Sequence, residues 1–177
     1  VACAIYADGA PSPFRQDGTH ILRIGIQGYA VPDAERKAAT LTFVIDVSGS
    51  MEQENRLGLV KQSLQLLVDR LHPSDTVAIV VYGSDARVVL NPTSGEDRAT
   101  ILNAIYSLRT EGATNAEAGL ILGYQMAWQA FRPNAINRVI LCSDGVANVG
   151  NTGPDAILES IRGYANAGVS LTSVGFG

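Results

Sequence analysis

Scarcity narrows the chemistry first. Only two cysteines and two histidines occur in 177 residues. So few thiolates and imidazoles exclude a His- or Cys-rich zinc centre and most Ser-His-Asp arrangements. Cys3 and Cys142 make no disulfide framework. Cys142 ends the apolar run Val139–Cys142 and reads as a free buried thiol, with a bridge to Cys3 still open on sequence grounds. Basic residues number 13 against 17 acidic ones, a net charge of −4 with no block of Lys or Arg, which argues against a nucleic-acid partner. No apolar run approaches the ~18 residues needed to span a membrane. Neither G-x-x-x-x-G-K-[ST] nor G-x-G-x-x-G is present, so nucleotide binding has no direct support.

What remains is a globular composition, 46% apolar and 17% charged, sufficient for one domain with a substantial core. The chain opens at Val1 without a Met or a signal-peptide pattern and reads as an excised piece of a longer protein. Residues 8–19 are rich in Gly, Pro and Ser and read as loop. His20–Gln27 alternates apolar and polar and reads as a strand, with Ile21, Ile24 and Ile26 as candidates to face inward. Residues 31–39 form a polar connector. The expected division is an N-terminal loop-and-strand extension over 1–39, either an added β-element or the end of an upstream domain, and a single domain over 40–177.

From Thr40 onward strands and helices alternate. Strands are expected at 41–46, 76–82, 86–90, 138–143 and 169–174. Helices are expected at 56–71, 97–108 and 115–131, with one more opening at Pro154. The third of these places Leu120, Tyr124, Ala127, Trp128 and Phe131 inward, as core rather than as a cofactor platform. Val- and Ile-rich strands without clean alternation are those buried on both faces. The order argues for a doubly wound, mostly parallel α/β sheet with helices on both faces and 86–90 as an antiparallel edge strand. The chain stops after Gly175-Phe176-Gly177, where a last helix–strand unit is expected to have been cut away.

Ligands of such sheets bind beyond the carboxyl ends of the strands, where strand order reverses. The run Asp46-Val47-Ser48-Gly49-Ser50-Met51 closes the apolar stretch Leu41–Ile45 and sets one carboxylate and two hydroxyls at a strand end. Asp144 ends the strand 138–143, and the loop carrying Thr114 joins two helices over the same edge. Asp46, Ser48, Ser50, Thr114 and Asp144 are therefore the candidate metal ligands. An oxygen-only donor set selects Mg²⁺, with Mn²⁺ or Ca²⁺ as alternatives. Neutral hydroxyls leave such an ion electrophilic, so a partner carboxylate can complete its shell. Thr114 could instead cap the following helix, and Asp144-Gly145 could be an ordinary turn. Glu52, Glu54 and Glu111 read as solvated surface, and Asn148 as a rim or turn residue.

Those motifs, together with Gly112-Ala113-Thr114-Asn115 and Ser143-Asp144-Gly145, resemble the von Willebrand factor type A (VWA) domain family over about residues 40–177, and in particular its bacterial members. The resemblance implies a Rossmann-like, integrin I-like sheet. Its metal-ion-dependent adhesion site (MIDAS) would use Asp46, Ser48, Ser50, Thr114 and Asp144, with Thr114 and Asp144 trading closeness to the ion as a ligand is gripped. It further implies a non-enzymatic interaction or adhesion module for a protein presenting an Asp or Glu carboxylate. His20–Gly28 and Asn91–Gly95 look like an exported subgroup, which places the protein outside the cytoplasm, in the periplasm, at the cell surface or on a lipid anchor. Two other readings share parts of this pattern. One is a Mg²⁺-dependent phosphohydrolase with Asp46 as nucleophile, which lacks a second Asp at position 48. The other is an intracellular adaptor subunit that partners an ATPase.

Overall fold

The computed structural model describes residues 3–15, 17–28, 31–32, 35–145 and 154–176, and within 154–160 the side chain of Glu159 alone. Two compact units result, residues 1–36 and 37–177.

The first unit is a ribbon of β1 (Cys3–Pro11) and β2 (His20–Gly28), paired antiparallel with Ile5 opposite Ile26, Ala7 opposite Ile24 and Gly9 opposite Leu22. Directly opposed residues share a face and successive ones alternate. The register therefore gathers Ile5, Leu22, Ile24 and Ile26 on one side. The other side holds the Asp8–Arg23 ion pair at 2.5 Å and the Tyr6 hydroxyl donating to Gln27 Oε1 at 3.4 Å. Two sequence expectations are corrected here. Asp8–Pro11 is strand rather than loop, because cross-strand pairing outweighs the poor strand propensity of Gly and Pro. Ile21, Ile24 and Ile26 do not face inward: they are 45%, 62% and 72% exposed, and Ile21 lies on the opposite face from the other two.

The second unit is a five-stranded sheet in the order β5-β4-β3-β6-β7. Its strands are β3 (Ala39–Asp46), β4 (Thr76–Tyr82), β5 (Ala86–Ser94), β6 (Ile136–Ser143) and β7 (Val169–Gly175). All neighbours run parallel except β5, which is the antiparallel edge strand. It runs four residues beyond the expected 86–90, because register shifts between Val77 and Val80 let pairing resume as far as Ser94. The helices are α1 (Arg56–Val68), α2 (Arg98–Ser107), α3 (Ala116–Gln129) and α4 (Pro154–Asn166). Asn148 and the rest of the loop after Gly145, as far as 153, lie outside the described residues.

Alternation along the strands divides the core in two. Phe43, Ile45, Val77, Ile79 and Val81 meet Val60, Leu64 and Val68 of α1 and Ile101 and Ile105 of α2. Val44, Val80, Tyr82 and Val139 meet Ala116, Tyr124 and Ala127 of α3 and Ile161 of α4. Both faces of the sheet are therefore covered, as a doubly wound fold requires. Beside β6 and β7 an apolar groove lined by Leu64, Leu67, Ile140, Val174 and Phe176 lies next to α1. No helix among the described residues covers it.

One inward assignment fails. Trp128 is 47% exposed and lies against Phe131 and Tyr164, with ring centroids at 5.0 and 5.9 Å. The face of α3 turned to the sheet is made instead by Ala116, Gly119, Gly123, Tyr124 and Ala127.

Both cysteines are free thiols, Cys3 exposed and Cys142 buried in β6. Burial pushes the Cys142 thiol up to about 12, so thiolate, the reactive form, is scarce at neutral pH. A thiol-reactive chromogen should therefore modify one cysteine per native chain and two after denaturation. Rapid native modification of both would contradict the placement of Cys142.

Candidate functional site

β3 and β6 are adjacent parallel strands, and the chain leaves β3 toward β4 on one side but reaches β7 from β6 on the other. Their carboxyl ends form the point of reversal, and Asp46 and Ser143-Asp144 sit there.

Asp46 is fully buried. Its Oδ1 accepts from the Ser48 N–H at 2.9 Å. Its Oδ2 faces two hydroxyl donors, Tyr82 at 3.3 Å and Ser143 at 3.4 Å. Burial and the nearby Asp46 carboxylate push the Tyr82 phenol far above its usual range, so it stays protonated and donates. The turn over Asp46–Ser48 swings the next two hydroxyls together, with Ser48 Oγ 3.1 Å from Ser50 Oγ. Ser48 is buried and Ser50 half-buried.

The loop carrying Thr114 is pinned to the same edge. The Glu111 N–H donates to the Val47 carbonyl at 2.6 Å, and the Gly49 N–H donates to the Gly112 carbonyl at 3.3 Å. The Ala113 N–H donates to Ser84 Oγ at 3.1 Å, and the Asn115 N–H to the Gly83 carbonyl at 2.8 Å. This close approach needs glycine at two places. A Cβ on Gly83 would lie 2.4 Å from the Glu111 carbonyl oxygen, and Gly112, at φ +67°, would press one onto Ser84. Thr114 itself is half-buried. The cap of α3 is Asn115, whose side chain accepts from the Ala118 N–H at 3.1 Å, so capping does not account for the Thr114 hydroxyl.

Asp144 has a fully enclosed side chain, and its Oδ2 accepts from Arg56 Nη1 at 2.9 Å. Nη1 also lies 3.5 Å from the Ser50 carbonyl, so Arg56 links Asp144 to the Ser48–Ser50 turn. The structure thus joins Asp46, Ser48 and Ser50 directly, ties Asp144 to them through Arg56 and Ser143, and fastens the Thr114 loop alongside. Arg56, Tyr82 and Ser143 are site residues that sequence reasoning missed. Tyr82 ends a buried strand beside Asp46, a signal that could have been read; Arg56 lies 88 residues from its partner and gave none.

Glu52, Glu54 and Glu111 are exposed as expected, and Glu111 pairs with Arg87 at 2.6 Å. No group of three or more His, Cys, Asp and Glu side chains converges among the described residues. The side-chain donors that the described residues bring to this edge are a mixture of carboxylates and hydroxyls.

A parallel-centred sheet whose reversal point carries D-x-S-x-S is a doubly wound sheet of Rossmann-like type. The VWA family model matches residues 41–146, which hold the sheet centre and four of its strands, and the chain belongs to the von Willebrand factor type A domain family. The uncharacterized protein YfbK of Escherichia coli (strain K12) is 41% identical over 95% of the chain, which spans 29% of YfbK. The chain is thus well under half the length of that relative. Among solved structures, a von Willebrand factor type A protein from Catenulispora acidiphila superposes with TM-score 0.66 at 18% identity, over 99% of this chain and 40% of that one. The pilus adhesin SpaC of Lactobacillus rhamnosus GG gives TM-score 0.65 at 18% identity, over 98% and 28%. Both likenesses are of fold.

Proposed function

We propose that the chain is a divalent-cation-dependent protein-binding module that grips a carboxylate of its partner. The observation that carries this reading is the gathering of Asp46, Ser48 and Ser50 beside the Thr114 loop and Asp144 at the reversal point of the sheet. In an octahedral shell with Mg–O near 2.1 Å, adjacent oxygens stand ~3.0 Å apart; the two serine hydroxyls are 3.1 Å apart. The donors are all oxygen, which fits Mg²⁺, Mn²⁺ or Ca²⁺. Ser48, Ser50 and Thr114 would hold the ion through Oγ, and Asp46 and Asp144 directly or through water. The bound ion would supply an open electrophilic position for an Asp or Glu side chain of the partner.

A non-enzymatic role is favoured over phosphoester hydrolysis. Asp46 is buried and both its oxygens already accept hydrogen bonds, so no free nucleophile is presented. The site of action proposed is extracytoplasmic, in keeping with the fold shared with a pilus adhesin. No helix among the described residues is long and apolar enough to cross a membrane.

Calorimetric titration of chelator-stripped protein with Mg²⁺ and with Mn²⁺ tests the reading. One ion should bind per chain, and retention of the protein on an immobilised acidic peptide should require the ion and end with EDTA. A folded protein that binds neither ion, even with excess acetate to complete the shell, would rule the proposal out.

A further inference from the structure

Arg56 is placed unusually for a residue that opens a helix. Its side chain, only 19% exposed, turns back over the sheet edge and its guanidinium meets the carboxylate of Asp144, a side chain that is wholly enclosed. It is also poorly satisfied. Among the described residues Nε is buried without a hydrogen-bond partner, Nη1 reaches the Ser50 carbonyl only at 3.5 Å, and Nη2 stands 4.0 Å from the exposed Glu54. Among the described residues, the one short bond of this side chain is to Asp144 Oδ2. An enclosed cation fixed mainly through a single carboxylate is readily exchanged for another cation at that carboxylate.

We propose that Arg56 is an internal counter-cation of Asp144, so that a divalent ion enters by exchange against the guanidinium and Arg56 opposes its binding. The inference rests on the reading of this edge as a divalent-cation site. Two positive groups cannot both lie against one enclosed carboxylate without mutual repulsion, which is strong where water is excluded. Without the ion, Arg56 offsets the negative charge of the enclosed Asp144 carboxylate. With it, the guanidinium yields Asp144 to the ion. Arg56 is therefore a positioning residue that sets the ion concentration at which the module becomes competent to bind.

The test is calorimetric titration of Mg²⁺ into chelator-stripped wild type, Arg56→Gln and Arg56→Lys, together with ¹⁵N NMR of the arginine side chains in wild type. Arg56→Gln should bind Mg²⁺ about tenfold more tightly, the size of a typical coupling between two linked sites. Arg56→Lys, which keeps the charge, should stay nearer wild type. Rotation about the Arg56 Cζ–Nη bonds should be hindered without the ion and freed on saturation. If wild type binds and Arg56→Gln binds equally or less well, the inference fails while the metal reading stands. If Arg56→Gln binds and wild type does not, the competition is supported and the wild-type metal reading fails. If neither folded protein binds, both fall. Should Arg56→Gln not fold, the NMR decides: an Arg56 signal unchanged on saturation overturns the proposal, and release supports it.

Discussion

Asp46→Ala is expected to lower affinity for Mg²⁺ or Mn²⁺ by at least ~100-fold, because even supporting residues of metal sites cost 10- to 100-fold when removed. Asp46 supplies a fixed negative charge whose direction three donors hold: the Ser48 N–H, the Tyr82 hydroxyl and the Ser143 hydroxyl. Removal takes this acceptor from all three inside the protein, and each buried group left unsatisfied costs ~1–3 kcal/mol. The alanine variant should therefore also melt several degrees lower, at ~2–4 °C per kcal/mol for a domain of this size. Asp46→Asn separates the two effects. It keeps an acceptor and the side-chain volume while deleting the charge, so it should retain much more of the stability and still lose most of the affinity. Calorimetry beside thermal unfolding reads both quantities. Wild-type affinity in folded Asp46→Asn would show that the Asp46 charge holds no ion.

Some of this site is written locally and some only in three dimensions. The apolar run Leu41–Ile45 followed at once by Asp46, Ser48 and Ser50 puts polar ligands at a strand end, and the folded chain keeps them there. The strand–helix alternation after Thr40 was legible because buried parallel strands and amphipathic helices differ in period and length. Arg56 was not legible, since its exposure depends on a residue 88 positions away that only the β3–β6 pairing brings near. Strand β1 was hidden because Gly9 and Pro11 carry no strand signal of their own and take their conformation from the partner strand. On α3 one large residue drew a wrong inward assignment, Trp128, which is half exposed, while Leu120, Tyr124, Ala127 and Phe131 do pack toward the core. The pattern of large residues also hid that the helix seats itself on its smallest side chains, Gly119 and Gly123.

That seating makes Gly119→Ala and Gly123→Ala the most damaging small substitutions expected in the core. In an exposed helix either change would gain ~1 kcal/mol of propensity. Here a Cβ on Gly119 would lie 2.6 Å from Tyr82 Cδ1 and 2.9 Å from Tyr82 Cβ, and one on Gly123 would lie 2.2 Å from Val44 Cγ2. Tyr82 and Val44 are fully buried and have nowhere to go, so α3 must lift from the sheet. Overpacking of this kind costs ~1–3 kcal/mol, and contact with the rigid root of a side chain belongs at the upper end. Each single variant should therefore lose about 2 kcal/mol net of the propensity gain. The double variant should lose less than the sum, because one displacement of the helix relieves both clashes. Lifting α3 also draws Asn115 from the Gly83 carbonyl and shifts Tyr82 beneath Asp46, so metal affinity should fall with stability in both singles. Gly163→Ala on α4 is the control. Its Cβ meets nothing within 4 Å, so it should gain up to ~1 kcal/mol. Denaturant unfolding of the four variants checks the signs, and a stabilised Gly123→Ala would mean that α3 does not sit on β3 as closely as this.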